Sequence, residues 1–71
     1  MDTNLGHFRQ IASHRGRDFL VTFSGREAVL VQCVSPITGD CRTVWKEGRP
    51  IGDLTRAVVG NARMRDPRAS V

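Results

Sequence analysis

The chain has 71 residues, of which 39% are hydrophobic and 25% charged, and its formal net charge is +4. This length suits one small domain, and no apolar run approaches the roughly 20 residues that a membrane span requires. The amino terminus also lacks the basic and apolar regions of a signal peptide. We therefore expect a single soluble, cytoplasmic domain over 1–71, with an ordered core at about 5–65 and a flexible tail at 66–71.

The segment 3–15 allows two interpretations. Its apolar residues recur at helical spacing, and Gly16 could end a helix in a left-handed conformation. However, Gly6 weakens a short helix, and the run HFRQIAS can also form an edge strand. Helical spacing is the slightly stronger signal, so we expect a short helix, with an edge strand as the alternative.

Three strands are predicted next. Residues 18–23 alternate apolar and polar side chains and are rich in aromatic and β-branched residues. Residues 28–34 are apolar except for Gln32, which is typical of a central strand. Pro36 cannot donate a backbone hydrogen bond, so this strand ends before it, and a turn leads to a third strand at 41–46.

The register of the last two strands decides which side chains share a face. We expect Cys33 to lie opposite Cys41, which places Val29 opposite Trp45. An apolar face toward the core would then contain Phe19, Val21, Phe23, Val29, Val31, Cys33, Cys41 and Trp45. The exposed face would carry Leu20, Thr22, Leu30, Gln32, Val34, Arg42, Val44 and Lys46.

A final helix is predicted in the segment LTRAVVGNARMR, with Asp53 as its N-cap and its end at Gly60 or, at the latest, before Pro67. Its sheet-facing residues would be Leu54, Ala57, Val58 and Ala62. These elements predict an α+β fold: a three-stranded antiparallel meander with a C-terminal helix packed on one face, preceded by a short helix or a fourth strand. The small DNA-binding domains of tyrosine recombinases and the plant AP2 domains resemble this arrangement, although no sequence motif of either family is present.

Catalytic and metal-binding patterns are not recognisable. The sequence offers no hydrolytic triad, no paired carboxylates and no phosphate-binding glycine motif, so we expect no enzymatic activity and no cofactor. The candidate zinc ligands are His7, His14, Cys33 and Cys41. Structural zinc sites present ligands as close pairs, whereas six residues separate the histidines and seven the cysteines. We expect reduced cysteines and no metal.

The basic residues are the main functional signal, because ten are arginine and one is lysine. Arginine donates paired hydrogen bonds to phosphate and guanine, and a twisted sheet can enter the major groove of DNA. The candidate nucleic-acid-binding residues are Gln32, Arg42 and Lys46 on the exposed face, with Arg26, Arg49 and Arg56 around it. Further phosphate contacts are expected from Arg9, Arg15, Arg17 and Arg63. The leading hypothesis is a small nucleic-acid-binding accessory or regulatory protein, with DNA favoured over RNA.

The same face allows other interpretations. It could be an ordinary solvated sheet surface. Its apolar residues Leu20, Leu30, Val34 and Val44 would also suit a protein partner. The alternative hypothesis is therefore a protein-interaction module, a small inhibitor or adaptor of the kind encoded by phages and plasmids. Pairing at a sheet edge would also permit a homodimer.

Overall fold

The computed structural model describes residues 7–67. They form four strands and one helix: β1 (His7–His14), β2 (Arg17–Ser24), β3 (Glu27–Val34), β4 (Cys41–Lys46) and α1 (Asp53–Arg65). Neighbouring strands pair antiparallel in sequence order, so the sheet is a four-stranded meander. The α+β class is confirmed, with four strands. The expectations for 1–6 and 68–71 lie outside the described residues.

The segment 3–15 contributes a strand, so the prediction of a helix was wrong and the edge-strand alternative is confirmed. Long-range pairing decides this, because Ala12 lies opposite Phe19 and both side chains are buried. The turn to β2 has positive φ at Arg15 (52°) and Gly16 (79°). Two such residues are typical of a type I′ turn, whose twist matches that of a β-hairpin. Helical spacing alone could not reveal this pairing.

The β2–β3 hairpin contains a register shift. Its turn begins at Gly25, whose φ of 63° suits the first position of a type II′ turn. Thr22 pairs with Leu30 while the next residue pairs with Ala28, which leaves Val29 as an extra residue in β3. Such a bulge increases the local twist of the sheet.

The register of β3 and β4 differs from the prediction by one residue. Cys33 lies opposite Arg42, and Cys41 lies opposite Val34. A second register shift along β4 then returns Trp45 to the core-facing side. Because successive side chains of a strand point to opposite faces, the expected opposition of the two cysteines was wrong, while the expected side of Trp45 is confirmed.

The loop between these strands sets their register. The Ser35 N–H donates to the Asp40 carbonyl at 2.8 Å, and the Gly39 N–H donates to the Ser35 carbonyl at 2.9 Å. The Ser35 hydroxyl also accepts hydrogen bonds from the N–H groups of Ile37 and Thr38. These contacts place Ser35 next to Asp40, and the strands continue outward from that pair.

A small hydrophobic core lies between the sheet and α1. Phe23, Val21 and Val31 from the sheet and Val58 from the helix are its largest fully buried side chains. The buried hydrophobic residues of the described part are Ala12, Phe19, Val21, Phe23, Val31, Val58, Val59 and Ala62. Phe8, Ala28, Cys33 and Trp45 pack against them. The core therefore lies on one face of the sheet, the face that α1 covers.

The buried side of α1 is rotated relative to the prediction. Its buried residues are Thr55, Val58, Val59 and Ala62, at the helical spacing i, i+3, i+4 and i+7. Leu54 is 49% exposed, so its predicted place in the core was wrong. The polar residue Thr55 is buried at the start of α1, where the hydrophobicity pattern predicted Leu54.

The start of α1 differs from expectation by one residue, and its end agrees with the later of the two predicted limits. Gly52 is the N-cap, and Asp53 lies in the first turn, where a carboxylate suits the helix dipole. The helix continues through Gly60, and the side-chain amide of Asn61 donates to the Ser13 carbonyl of β1 at 3.0 Å. It ends at Arg65, before Pro67. No helix within 7–67 is long and apolar enough to cross a membrane.

The two faces of the sheet differ. We call the face that packs against α1 the helix side. Helix α1 packs mainly against β1 and also contacts β2 and β3, so the helix side of β4 lies beyond it. We call the other face the open face. From the register, it carries His7, Arg9, Ile11, Ser13, Asp18, Leu20, Thr22, Ser24, Glu27, Leu30, Gln32, Val34, Cys41, Thr43 and Lys46.

Candidate nucleic-acid interface

Gln32 and Lys46 lie on the open face. Gln32 is half-buried in β3, between Leu20 on β2 and Thr43 on β4. Lys46 is exposed at the end of β4, opposite Leu30. These two predicted site residues therefore share a face, in neighbouring rows of the sheet.

Arg42 lies on the helix side, so the predicted grouping of Arg42 with Gln32 and Lys46 does not form. It is exposed and pairs with Cys33, which itself pairs with the buried Phe19 of β2. Sequence analysis missed this because a one-residue change in register moves every side chain of a strand to the other face.

The backbone carbonyls of Arg26 and Arg49 have structural roles. The Arg26 carbonyl, in the β2–β3 turn, accepts a hydrogen bond of 2.9 Å from Nη1 of Arg63. The Arg49 carbonyl, in the connector to α1, accepts one of 3.0 Å from the indole N–H of Trp45. Both arginines are exposed, but they lie on connecting segments at some distance from Gln32.

Arg56 and Arg63 project from one side of α1, because seven residues make nearly two helical turns. The Arg63 guanidinium lies 5.4 Å from the centre of the Phe23 ring, which belongs to β2. Asn61, on the opposite flank, contacts β1 instead. The flank that carries both arginines therefore faces away from β1, toward β2 and the β2–β3 turn.

Arg17 lies on the same side of the sheet, since it alternates with the buried Phe19 along β2. A cleft of about 340 Å³ beside it is also bordered by Cys33 and Ser35. We define the helix-side arginine surface as Arg17, Arg42, Arg56 and Arg63. Within 7–67, no carboxylate forms an ion pair with the first three of these. Two sequence signals could have revealed this surface. Arg17 alternates with Phe19 along β2, and Arg56 and Arg63 have the i, i+7 spacing of one helix flank.

The open face is largely apolar at its centre. Leu20, Leu30 and Val34 are half-buried there, and Ile11 is 44% exposed. Thr22 is only 7% exposed, and its hydroxyl has no hydrogen-bond partner among the described residues. The ionisable groups at its margins balance in sign, since Arg9 and Lys46 are matched by Asp18 and Glu27.

The two cysteines lie on opposite faces of the sheet. Both are free thiols, with Cys33 half-buried and Cys41 exposed. A direct disulfide between them would require a change of register, because their side chains point apart. In the described part of the chain, no group of three or more His, Cys, Asp or Glu residues is placed to hold a metal ion.

Comparison with known proteins adds no family assignment: no protein-family model, curated protein or solved structure matches this chain.

Proposed function

We propose that this protein binds nucleic acid through the helix-side arginine surface. The observation that carries the proposal is the placement of Arg17, Arg42 and Arg56 on one side of the sheet, exposed and without carboxylate partners in 7–67. A guanidinium that no carboxylate of 7–67 neutralises is available to a phosphate. Each can donate two parallel hydrogen bonds to phosphate oxygens.

The distribution of charge favours this side over the open face. The charged residues of the open face, Arg9, Lys46, Asp18 and Glu27, sum to zero, whereas the helix-side arginine surface carries four arginines. Phosphate contacts supply most of the affinity of non-specific nucleic-acid binding. The surplus of positive charge therefore lies where it can act together on one polyanion.

The geometry also leaves room for a duplex or a single strand. Because α1 packs mainly on β1, the Arg42 end of β4 lies beyond the helix, whereas Trp45, further along the same strand, donates to the Arg49 carbonyl of the connector. Arg42, Cys33 and Phe19 lie side by side on β4, β3 and β2. Since neighbouring strands are about 4.8 Å apart, the backbone of Arg42 lies roughly 10 Å from that of Phe19, which belongs to the core. Arg56 approaches this area from the flank of α1.

The direct test is fluorescence anisotropy with labelled duplex and single-stranded DNA, and matching RNA, over a range of salt concentrations. Binding should be detectable near 50 mM salt and should weaken steeply as salt rises, because phosphate contacts release counterions. Absence of binding to all probes at 50 mM salt would overturn the proposal.

A matched pair of variants locates the surface. Arg42→Glu with Arg56→Glu should abolish detectable binding, whereas Arg9→Glu with Lys46→Glu should reduce it much less. Each double reversal lowers the formal net charge from +4 to 0, so general charge effects are equal. The reverse pattern would assign binding to the open face and contradict the surface proposed here.

A further inference from the structure

Arg42 and Trp45 lie on the same side of β4, the helix side, although they are three residues apart. In a regular strand, residues at this spacing point to opposite faces. The register shift between Val31 and Gln32 leaves Val44 as an extra residue of β4, so Trp45 returns to the helix side. Bulges are frequent next to functional sites, where they redirect a side chain. This bulge brings a guanidinium and an aromatic ring together on one surface.

A hydrogen bond fixes the orientation of the Trp45 indole. Its N–H donates to the Arg49 carbonyl at 3.0 Å, and the half-buried ring packs in part against the core. Because the N–H is already bonded, the accessible part of the ring offers a ligand an apolar, flat surface rather than a hydrogen-bond donor. Another flat ring can stack on such a surface. The side chain therefore suits a planar ligand group.

An open groove of about 280 Å³ adjoins the indole, and Val44 and Arg49 also border it. It follows β4, which is an outer strand of the sheet, so no neighbouring strand of 7–67 covers this edge. The groove has room for one nucleobase beside the ring. A ligand can therefore reach the indole from outside without displacing the core.

A guanidinium lies on each side of the ring along the chain. Arg42 precedes Trp45 by three residues, a distance of roughly 10 Å along an extended strand. Arg49 follows it and borders the same groove. Both arginines are exposed, and no carboxylate of 7–67 forms an ion pair with either of them. The order of groups is thus cation, aromatic ring, cation, which matches the order phosphate, base, phosphate of a nucleic-acid strand.

We propose that the nucleic acid is single-stranded, with one base stacked on Trp45 and the phosphates on its two sides paired with Arg42 and Arg49. This inference rests on the proposed nucleic-acid binding and names the form of nucleic acid that is bound. A duplex cannot use the ring in this way, because its bases are paired and stacked and expose only their edges in the grooves. Basic grooves with aromatic stacking residues are the usual means of binding a single strand.

The test uses the unmodified chain, because Trp45 is its only tryptophan and its fluorescence reports on this site alone. The probes are a DNA single strand of about 12 nucleotides, an abasic strand of the same length and a duplex of the same length. The intact strand should quench the fluorescence and should bind at least fivefold more tightly than the abasic strand, since stacking contributes about that factor. The abasic strand and the duplex should bind with little quenching.

Two variants test the ring itself. Trp45→Leu keeps an apolar side chain against the core and should bind the intact and abasic strands with affinities within twofold of each other. Trp45→Phe keeps a ring and should retain most of the preference for the intact strand. Both should show the salt dependence of the original chain, because no phosphate contact is lost. Circular dichroism confirms that each variant is folded.

The outcomes separate this inference from the proposed function. Equal affinity of the unmodified chain for the intact and abasic strands would overturn the single-strand inference and leave nucleic-acid binding in place. Binding of the intact strand without quenching, or quenching by the duplex of equal strength, would do the same. Absence of binding to all three probes at about 50 mM salt, where phosphate contacts are strong, would overturn both.

Discussion

Arg63 joins the carboxyl-terminal half of α1 to the β2–β3 hairpin. Its Nη1 donates to the Arg26 carbonyl at 2.9 Å, and its guanidinium lies 5.4 Å from the centre of the Phe23 ring. Phe23 is among the largest fully buried side chains, so this arginine closes one end of the core. One side chain thus satisfies a turn carbonyl and covers an aromatic ring.

Replacement of Arg63 by alanine should destabilise the fold. Loss of the charge-assisted hydrogen bond and of the cation–π contact should lower the free energy of unfolding by about 1–2 kcal/mol. Urea denaturation followed by circular dichroism measures this. Arg65→Ala, in the same last turn and exposed, is the control and should change stability by less than about 0.5 kcal/mol. Equal effects of the two substitutions would contradict the assigned role of Arg63.

Thr22→Val should stabilise the protein. The substitution keeps the side-chain shape and removes a buried hydroxyl that has no partner in the described part. A gain of about 1 kcal/mol is expected, since an unsatisfied buried polar group costs roughly 1–3 kcal/mol. Thermal denaturation should show a higher Tm. Thr43→Val, exposed on the same face, should have little effect, and a loss of stability in Thr22→Val would show that the hydroxyl is paired.

Two glycines should respond to alanine with opposite signs. Gly16 has a φ of 79° in the β1–β2 turn, so Gly16→Ala should cost about 1 kcal/mol. Gly60 lies inside α1, and a Cβ there would meet no atom within 4 Å. Gly60→Ala should therefore stabilise the helix by up to about 1 kcal/mol. Chemical denaturation of both variants tests this. Destabilisation by Gly60→Ala would contradict the conclusion that a methyl group fits at this position.

The cysteines should react separately. Cys41 is exposed and Cys33 is half-buried on the other face, so a thiol reagent should label Cys41 first. Mild oxidation of the folded monomer should leave both thiols free of an internal disulfide. Mass spectrometry of labelled peptides measures the order and the pairing. A rapid Cys33–Cys41 disulfide in the folded protein would show that the strands adopt the other register.

Local patterns in the sequence correctly predicted the elements that depend on interactions between residues close together in the chain. Alternation of apolar and polar residues predicted β2, a nearly continuous apolar run predicted β3, and Pro36 and Pro67 limited a strand and the helix. The order of the strands and the final helix follows from the same signals, whereas Trp45 faces the core, opposite Val31 and not Val29, because a register shift in β4 offsets the error in the predicted register. The correctly predicted elements depend on contacts or backbone constraints within a few residues, which a sequence pattern records directly.

Tertiary structure alone decided the identity of β1, the register of β4 and the orientation of α1. Pairing with β2 outweighs the helical spacing of 7–14, and the hydrogen bonds of the 35–40 loop turn Arg42 away from Gln32. Packing selects Thr55 over Leu54 for the buried side of the helix. Strand register and helix rotation depend on contacts between distant segments. A one-residue shift in register hardly changes the local propensity of a strand, yet it moves each of its side chains to the other face of the sheet. The composition of each candidate surface is therefore set by these long-range choices.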